Sequence, residues 1–378
     1  MRVIVFGAGR VGAAMAKDLA ADGKFDVTVA DIDRNALHRL KGIKRLTPVD
    51  ADLRAAEMVR RLAAAHDFVV GAVPGPMGYG TVRSVIESGT DIADISFFEE
   101  DPYPELDELA KQHNVMVLTD CGIAPGCSNL MLGAAEAEMD EVVSFECYVG
   151  GLPSTRVQPY EYRAVFSPID VIAEYTRPAR VVEHGEVVVK EALTEVEHLD
   201  FDGVGTLEAF NTDGLRTLLR CDVPNMKEKT LRYPGHADKM RMLRDTGFFS
   251  EKPLEVADTT IRPIDLTARL LFPAWQLRDD EEDLTVMRVK IEGRTRGRRV
   301  GRRYRLLDRF DRTGGVTSMA RTTGYTCTAI VRAVEAGLFR EPGVSPPEVL
   351  GRADGVFRFV LDRLAERGVV FQEERLGE

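Results

Sequence analysis

A chain that opens on an apolar strand running straight into glycines has few folds open to it. Residues 1–6 (MRVIVF) read as a strand, and Gly7-Ala8-Gly9-Arg10-Val11-Gly12 follows without a gap. Residues 11–21 are small and helix-compatible, residues 26–30 (DVTVA) form a second strand, and Asp31 closes it. The pattern is that of a Rossmann dinucleotide site: Gly7 for the tight turn, Gly9 for backbone approach to a pyrophosphate, Gly12 for close strand–helix packing. The pyrophosphate is expected against the backbone N–H groups around Gly9, Arg10, Val11 and Gly12, where the helix dipole favours negative charge. Asp31 stands where a carboxylate accepts from both ribose hydroxyls and repels a 2′-phosphate, which favours NAD over NADP. Arg34, three residues on, is the one nearby base that works the other way.

The strand–helix alternation continues beyond Asp31. Residues 44–49 read as a strand and 53–65 as an amphipathic helix. Residues 67–73 (DFVVGAV) make a continuous apolar strand, as in a parallel sheet covered on both faces. Pro74-Gly75-Pro76 breaks it before a helix over 78–88; a strand at 91–95, a helix at 103–112 and a strand at 115–118 follow. Units of this length predict an α/β fold with a doubly wound parallel sheet. Ligands bind such sheets at the carboxyl ends of the strands, which puts Gly7–Gly12, Asp31, Asp52, Val73, Pro74, Ser96, Asp120 and Gly122 on one rim. Asp52 is equally suited to capping the helix after it.

From about residue 142 the pattern changes to short alternating strands with Gly and Pro turns, a mostly antiparallel sheet and so a second domain. Residues 284–292 and 298–308 read as a hairpin across Gly293–Gly297. The arginine-rich run 294–305 and the acidic run 279–283 are expected to form solvated faces and ion pairs within or between subunits. From about 317 the chain is helical again, and residues 355–367 and 369–372 read as a helix and a last short strand packing back on the nucleotide domain.

At 378 residues two domains are expected. A formal charge of −11 argues against nucleic acid or an anionic membrane as the partner. No stretch approaches the roughly 18 consecutive apolar residues of a membrane span. Five cysteines, odd in number and without a CxxC pair, suit reduced thiols in a cytoplasmic protein. No cluster has metal-ligand spacing and no GxSxG elbow is present.

Seven segments extend the pattern along the chain: GAGRVG at 7–12, CGIAPGCSN at 121–129, YVGGLP at 148–153, FSP at 166–168, LEAFNTDGLRTL at 207–218, EKTLRYPGH at 228–236 and SMARTTGY at 318–325. Together they resemble the saccharopine dehydrogenase family, and within it the lysine 6-dehydrogenases more than the saccharopine reductases. The resemblance implies a Rossmann domain (1–125 and 318–378) interrupted by an α+β substrate-binding and oligomerisation domain (126–317), assembled as a homodimer or larger homo-oligomer. It implies NAD-dependent oxidative deamination of the ε-amine of L-lysine to 2-aminoadipate 6-semialdehyde, which cyclises, with release of ammonia. Saccharopine reductases carry Asp in an L-D-P-G turn where this chain has Ala124 before Pro125-Gly126, which turns the expectation from saccharopine towards lysine. Saccharopine reduction, or another amino acid, is the alternative. The opening segment alone also resembles the NAD-sensing regulatory domains of potassium-uptake systems, which have no use for the long insertion.

That chemistry requires a base, since an amine with a reference pKa of about 10.4 must be neutral before hydride leaves the adjacent carbon. Within the matching segments His236 is the expected base by type, Lys229 a group that lowers a neighbouring amine's pKa, and Asp120 a third candidate on the rim. Arg232 is expected to clamp the substrate carboxylate, or to form a structural ion pair, and Asp213 to pair with the α-ammonium. Tyr148, Phe166 and Ser167 are expected to line the pocket.

Overall fold

A computed structural model describes residues 1–377, and the chain divides into two compact units, Met1–Met139 with Ala320–Val370 and Asp140–Met319 with Phe371–Glu378. The first unit opens with β1 (Arg2–Phe6), α1 (Arg10–Ala21), β2 (Asp26–Asp31), α2 (Arg34–His38), β3 (Leu46–Asp50), α3 (Ala56–Ala64), β4 (Phe68–Gly71), α4 (Gly75–Glu87), β5 (Asp91–Asp94), α5 (Glu105–His113), β6 (Met116–Leu118) and α6 (Cys127–Glu138). The strands lie in the order β6-β5-β4-β1-β2-β3, all parallel, so the order reverses between β1 and β4. Apolar runs such as Phe68-Val69-Val70 are fully buried because helices cover both faces.

Two boundaries differ from expectation for local reasons. α4 begins at Gly75 instead of 78, since Pro76 fits the first helical turn, where its missing N–H leaves nothing unpaired. α3 begins at Ala56 instead of 53, because Asp52 folds the intervening backbone into a turn, accepting from the Arg54 N–H at 3.0 Å. α6 belongs to the first unit, so the division falls after Met139 and not at 125. Helix–helix contact explains it: a Cβ at Gly133 would run into the Glu348 carbonyl oxygen, and Asn129 reaches the Glu348 carboxylate at 3.1 Å.

The second unit is built on β7 (Glu141–Pro153). It continues through α7 (Pro168–Thr176), β8 (Ala179–Glu183), β9 (Glu186–Lys190), β10 (Glu197–Phe201), β11 (Gly205–Asn211), β12 (Met226–Arg232), α8 (His236–Thr246), β13 (Leu254–Val256), β14 (Thr259–Ile261), α9 (Pro263–Trp275), β15 (Asp283–Thr295) and β16 (Arg298–Arg309). The main sheet runs β10-β11-β12-β7-β15-β16, antiparallel except between β7 and β12, and the β8–β9 hairpin branches from β12. The β15–β16 hairpin is longer than the spacing of Gly293 and Gly297 suggests. Gly293 lies at a register shift against β7, and the turn is Arg296-Gly297, both with positive φ.

The chain then re-enters the first unit with α10 (Ser318–Glu335), β17 (Gly343–Val344), which pairs in parallel with β6, α11 (Pro347–Arg352) and α12 (Val356–Ala365). The last strand, β18 (Gln372–Leu376), corrects an expectation. It does not pack on the nucleotide-binding unit but pairs antiparallel with β16 in the second. Charge explains the choice: Glu374 accepts from Arg303 and Arg305 at 3.0 Å each, and Glu373 lies 3.6 Å from Arg302. The basic run thus finds its acids within the same chain.

No helix among the described residues is long and apolar enough to cross a membrane.

Candidate active site

The first unit brings the rim residues together at the carboxyl ends of its strands. Gly7 has φ +109, and a Cβ there would strike the Ala72 carbonyl oxygen; a Cβ at Gly12 would strike the Gly7 carbonyl oxygen. Gly9, by contrast, faces open space, with nothing within 4 Å of a Cβ position. No side chain caps α1, which begins beside it. The arrangement fits a pyrophosphate, whose oxygens would take the hydrogen bonds of the first helical turn.

Asp31 ends β2 with one carboxylate oxygen accepting from the Ala8 N–H at 2.5 Å and the other from Asp33 N–H at 2.8 Å. It therefore stands against the glycine turn itself, where a ribose would meet it. Asp50, its register partner on β3, was not anticipated; it engages Arg34 at 2.6 Å. Asp52 is occupied by Arg54, which donates to both its oxygens at 2.8 and 2.7 Å and holds the carboxyl down at about 2. Its contacts are those of its own turn, the local role that the sequence also allowed. Val73 and Pro74 lie in the β4–α4 connection, with Pro74 preceding the first helical residue.

Beyond the order reversal, Ser96 and Asp120 follow β5 and β6. Ser96 is held by Asp94, which accepts from its N–H at 2.9 Å and its Oγ at 3.0 Å. Asp94 is fully buried at the end of β5 and was missed; the Asp-x-Ser spacing after an apolar strand was the available signal. Asp120 is 2% exposed and has φ +54, in the left-handed region where non-glycine residues are uncommon. Gly122 lies in the tight loop closed by Gly126. Burial pushes the neighbouring Cys121 thiol well up, with Cys327, Asp94 and Asp120 adding to the effect, so it is no thiolate nucleophile.

The second unit gives several predicted residues other work. His236 and Arg232 meet in one buried cluster, both reaching the Tyr175 hydroxyl and both lying against the Tyr162 ring, while Lys229 lies apart. On β12, Arg232 faces the aromatic core around Trp275 while Lys229 points to the opposite face, as strand alternation requires. Lys229 donates to the Glu195 carbonyl at 2.6 Å and pairs with Glu197 at 3.0 Å. Arg232, 1% exposed, donates to Glu174 at 2.8 Å and the Leu231 carbonyl at 2.9 Å, and stacks over the Tyr162 ring at 4.7 Å. It is the structural ion pair of the two readings. Asp213 is taken by Arg180, which donates to its two oxygens at 2.9 and 2.7 Å, and so is not open to an ammonium. Tyr148 lies under Lys227 and Arg288, and burial raises its hydroxyl. Phe166 packs against the Trp275 cluster, and Ser167 precedes α7 without a side-chain cap bond.

His236 is the clearest correction. It is fully buried, Nδ1 donates to the Tyr160 carbonyl at 2.7 Å, and Nε2 lies 2.8 Å from the Tyr175 hydroxyl, which donates to it. Burial first, and repulsion from Arg232 second, push it down to about 3. The imidazole stays neutral and has no lone pair free for a substrate. Its folded value lies below its unfolded one, so the unfolded chain binds the extra proton. Stability therefore falls as pH drops from about 6.5 towards 3, by about 1.4 kcal/mol per unit from this group. Denaturant titrations of wild type and His236→Gln across that window will show a smaller acid slope in the variant.

No group of three His, Cys, Asp or Glu side chains among the described residues could hold a metal ion.

Comparison with known proteins identifies the family. Residues 3–118 match the family profile of the saccharopine dehydrogenase NADP binding domain, and residues 122–369 that of the saccharopine dehydrogenase C-terminal domain. A Pyricularia oryzae saccharopine dehydrogenase [NADP(+), L-glutamate-forming] is 24% identical over 249 residues, covering 62% of this chain and 55% of that one. The Bos taurus α-aminoadipic semialdehyde synthase is 24% identical over 254 residues, 62% of this chain and 27% of its own. The aligned region is thus about half or less of the length of these relatives. The Saccharomyces cerevisiae saccharopine dehydrogenase [NADP(+), L-glutamate-forming] aligns over 91% of this chain and 93% of its own at 23% identity. The solved apo form of a saccharopine dehydrogenase (L-Glu forming) from S. cerevisiae superposes over 100% of both chains with a TM-score of 0.79 at 20% identity, which establishes the shared fold. With both halves of the chain matched in order, the protein belongs to the saccharopine dehydrogenase family.

Proposed function

We propose that this protein is an NAD-dependent amino-acid dehydrogenase that oxidises the ε-carbon of L-lysine to 2-aminoadipate 6-semialdehyde, consuming water and releasing ammonia. The observation that supports NAD is the acidic edge formed by β2 and β3. Asp31, Asp33 and Asp50 gather there, and Arg34, exposed to solvent, donates its Nε to Asp50. A 2′-phosphate brought to that edge meets repulsion, whereas ribose hydroxyls meet acceptors.

When bound, the nicotinamide supplies the hydride acceptor. The protein's own task is to manage protons. Asp120, strained and buried on the same rim, takes a proton from the ε-ammonium so that the nitrogen lone pair can form the iminium. After passing that proton to solvent, it accepts a second from the water that attacks the iminium carbon. Asp94 is a positioning residue, fixing the Ser96 hydroxyl and backbone. Ala124, where saccharopine reductases carry Asp, supports the smaller substrate. The competing reading, saccharopine with NADP, is favoured by the names of the matched domain and relatives.

Initial rates with lysine or saccharopine, each with NAD or NADP, separate the two. Lysine with NAD at alkaline pH is expected to give the highest kcat/KM. Turnover of saccharopine with NADP alone would overturn the proposal.

A further inference from the structure

On the main sheet of the second unit, the face turned away from the Trp275 cluster carries its cations in rows. The registers Lys229–Tyr148–Arg288–Arg305 and Lys227–Glu146–Lys290–Arg303 run across β12, β7, β15 and β16 and put these side chains on one face. All but one of the cations have a carboxylate. Lys229 pairs with Glu197 at 3.0 Å, Lys227 has Glu146 at 3.5 Å and Lys290 reaches Glu292 at 2.9 Å. Arg303 and Arg305 share Glu374 at 3.0 Å each. Arg288 has no acid among the described residues; its guanidinium carbon instead lies 5.0 Å from the ring centroid of Tyr148 and 5.0 Å from that of Phe201.

Two rings against one guanidinium fix its position and keep water from it, while its N–H groups, which lie in its plane, remain able to donate. The side chain is half-buried, so part of its hydration is lost, and Arg305 stands directly across the strand pair. A partly desolvated cation facing a like charge is costly without a counter-charge. An oxyanion relieves both effects. The approach lies along β16, where Arg305 and Leu307 are exposed on the same face.

We propose that Arg288, held between Tyr148 and Phe201, is a binding site for the carboxylate of a small organic acid. The planar fork of a guanidinium matches two carboxylate oxygens. Lys227, 5.4 Å from the centroid of the same Tyr148 ring, adds attraction from the neighbouring strand. Phosphate is the poorer fit, because Glu146 and Glu197 lie 3.5 and 3.9 Å from Lys227 and repel a second negative charge on the same group. The site uses none of the residues given a part in the oxidation of lysine, and the inference does not rest on that reading.

Arginine reactivity tests it at the residue itself. The full chain is treated with phenylglyoxal at fixed pH and ionic strength, with butyrate or inorganic phosphate replacing chloride, and each arginine is followed by peptide mass spectrometry. Butyrate at about ten times its Kd should slow modification of Arg288 about tenfold, whereas Arg298, exposed near the hairpin turn, should change by less than about twofold. Phosphate should protect Arg288 less than butyrate does. Phe201→Leu removes one ring and should require about threefold more butyrate for the same protection. A second measurement covers an Arg288 too enclosed to react. In protein labelled with ¹⁵N-arginine, the Nε–Hε signal that disappears in Arg288→Lys should shift saturably with butyrate. Equal protection of Arg288 and Arg298 overturns the proposal, as does stronger protection by phosphate or unchanged protection in Phe201→Leu. So does an Arg288 signal that butyrate leaves in place.

Discussion

Asp18→Ala is expected to cost about 3–5 kcal/mol of stability, the range for removing one partner of a buried ionic network. Asp18 lies on α1 and receives Arg332 from α10 at 2.8 Å and Arg367, which follows α12, at 2.5 Å; Thr328 also donates to it. Asp22, one turn on, receives the same two arginines. The returning segment is thus clasped to the opening helix. Burial alone would lower the Arg332 pKa, but attraction to Asp18 and hydrogen bonds to Asp22 and Asp18 more than reverse it. Removing Asp18 leaves two largely buried guanidiniums sharing Asp22. Urea titration of Asp18→Ala against Asp265→Ala, whose exposed pair with Arg262 is screened by solvent, checks the magnitude; the second should move far less than the first. Equal shifts in both would show that the clasp does not hold the returning segment.

Asp120→Asn should lower kcat about 10²–10⁴-fold while leaving the KM for NAD within about twofold, the usual range for loss of a general base. Asparagine tolerates the left-handed backbone as well as aspartate does, so the variant retains the fold at φ +54 and loses only proton affinity. His236→Gln provides the contrast: its effect falls on acid stability, because both ring nitrogens are already bonded inside the second unit. Retention of more than half the wild-type kcat by Asp120→Asn would move the base elsewhere.

The nucleotide-binding half was legible in sequence because its signals are local. Glycines at 7, 9 and 12, an acid closing β2 and apolar strands covered on both faces each carry their meaning within a few residues. Helix starts were misplaced where a turn residue acted before the helix, as Asp52 did, or where proline sat inside the first turn, as Pro76 did. The second unit was legible as an antiparallel sheet but not in its pairings. Arg232, Lys229, Asp213 and His236 have the residue types a substrate site would need. Their partners Glu174, Glu197, Arg180 and Tyr175 lie on other elements, and nothing local distinguishes a side chain facing a ligand from one facing a buried partner. The last strand was misassigned for the same reason, since the arginines of β16 that capture it lie some seventy residues earlier.

The central claim is that a hydride leaves the ε-carbon of lysine for the nicotinamide. Incubating the enzyme with NAD and L-lysine deuterated at both C6 positions, then measuring the mass of the reduced dinucleotide, tests it directly. The account predicts one deuterium in every NADH formed and a slower rate than with unlabelled lysine where the transfer limits turnover. Reduced cofactor without deuterium, or none formed from lysine at any pH, would contradict it.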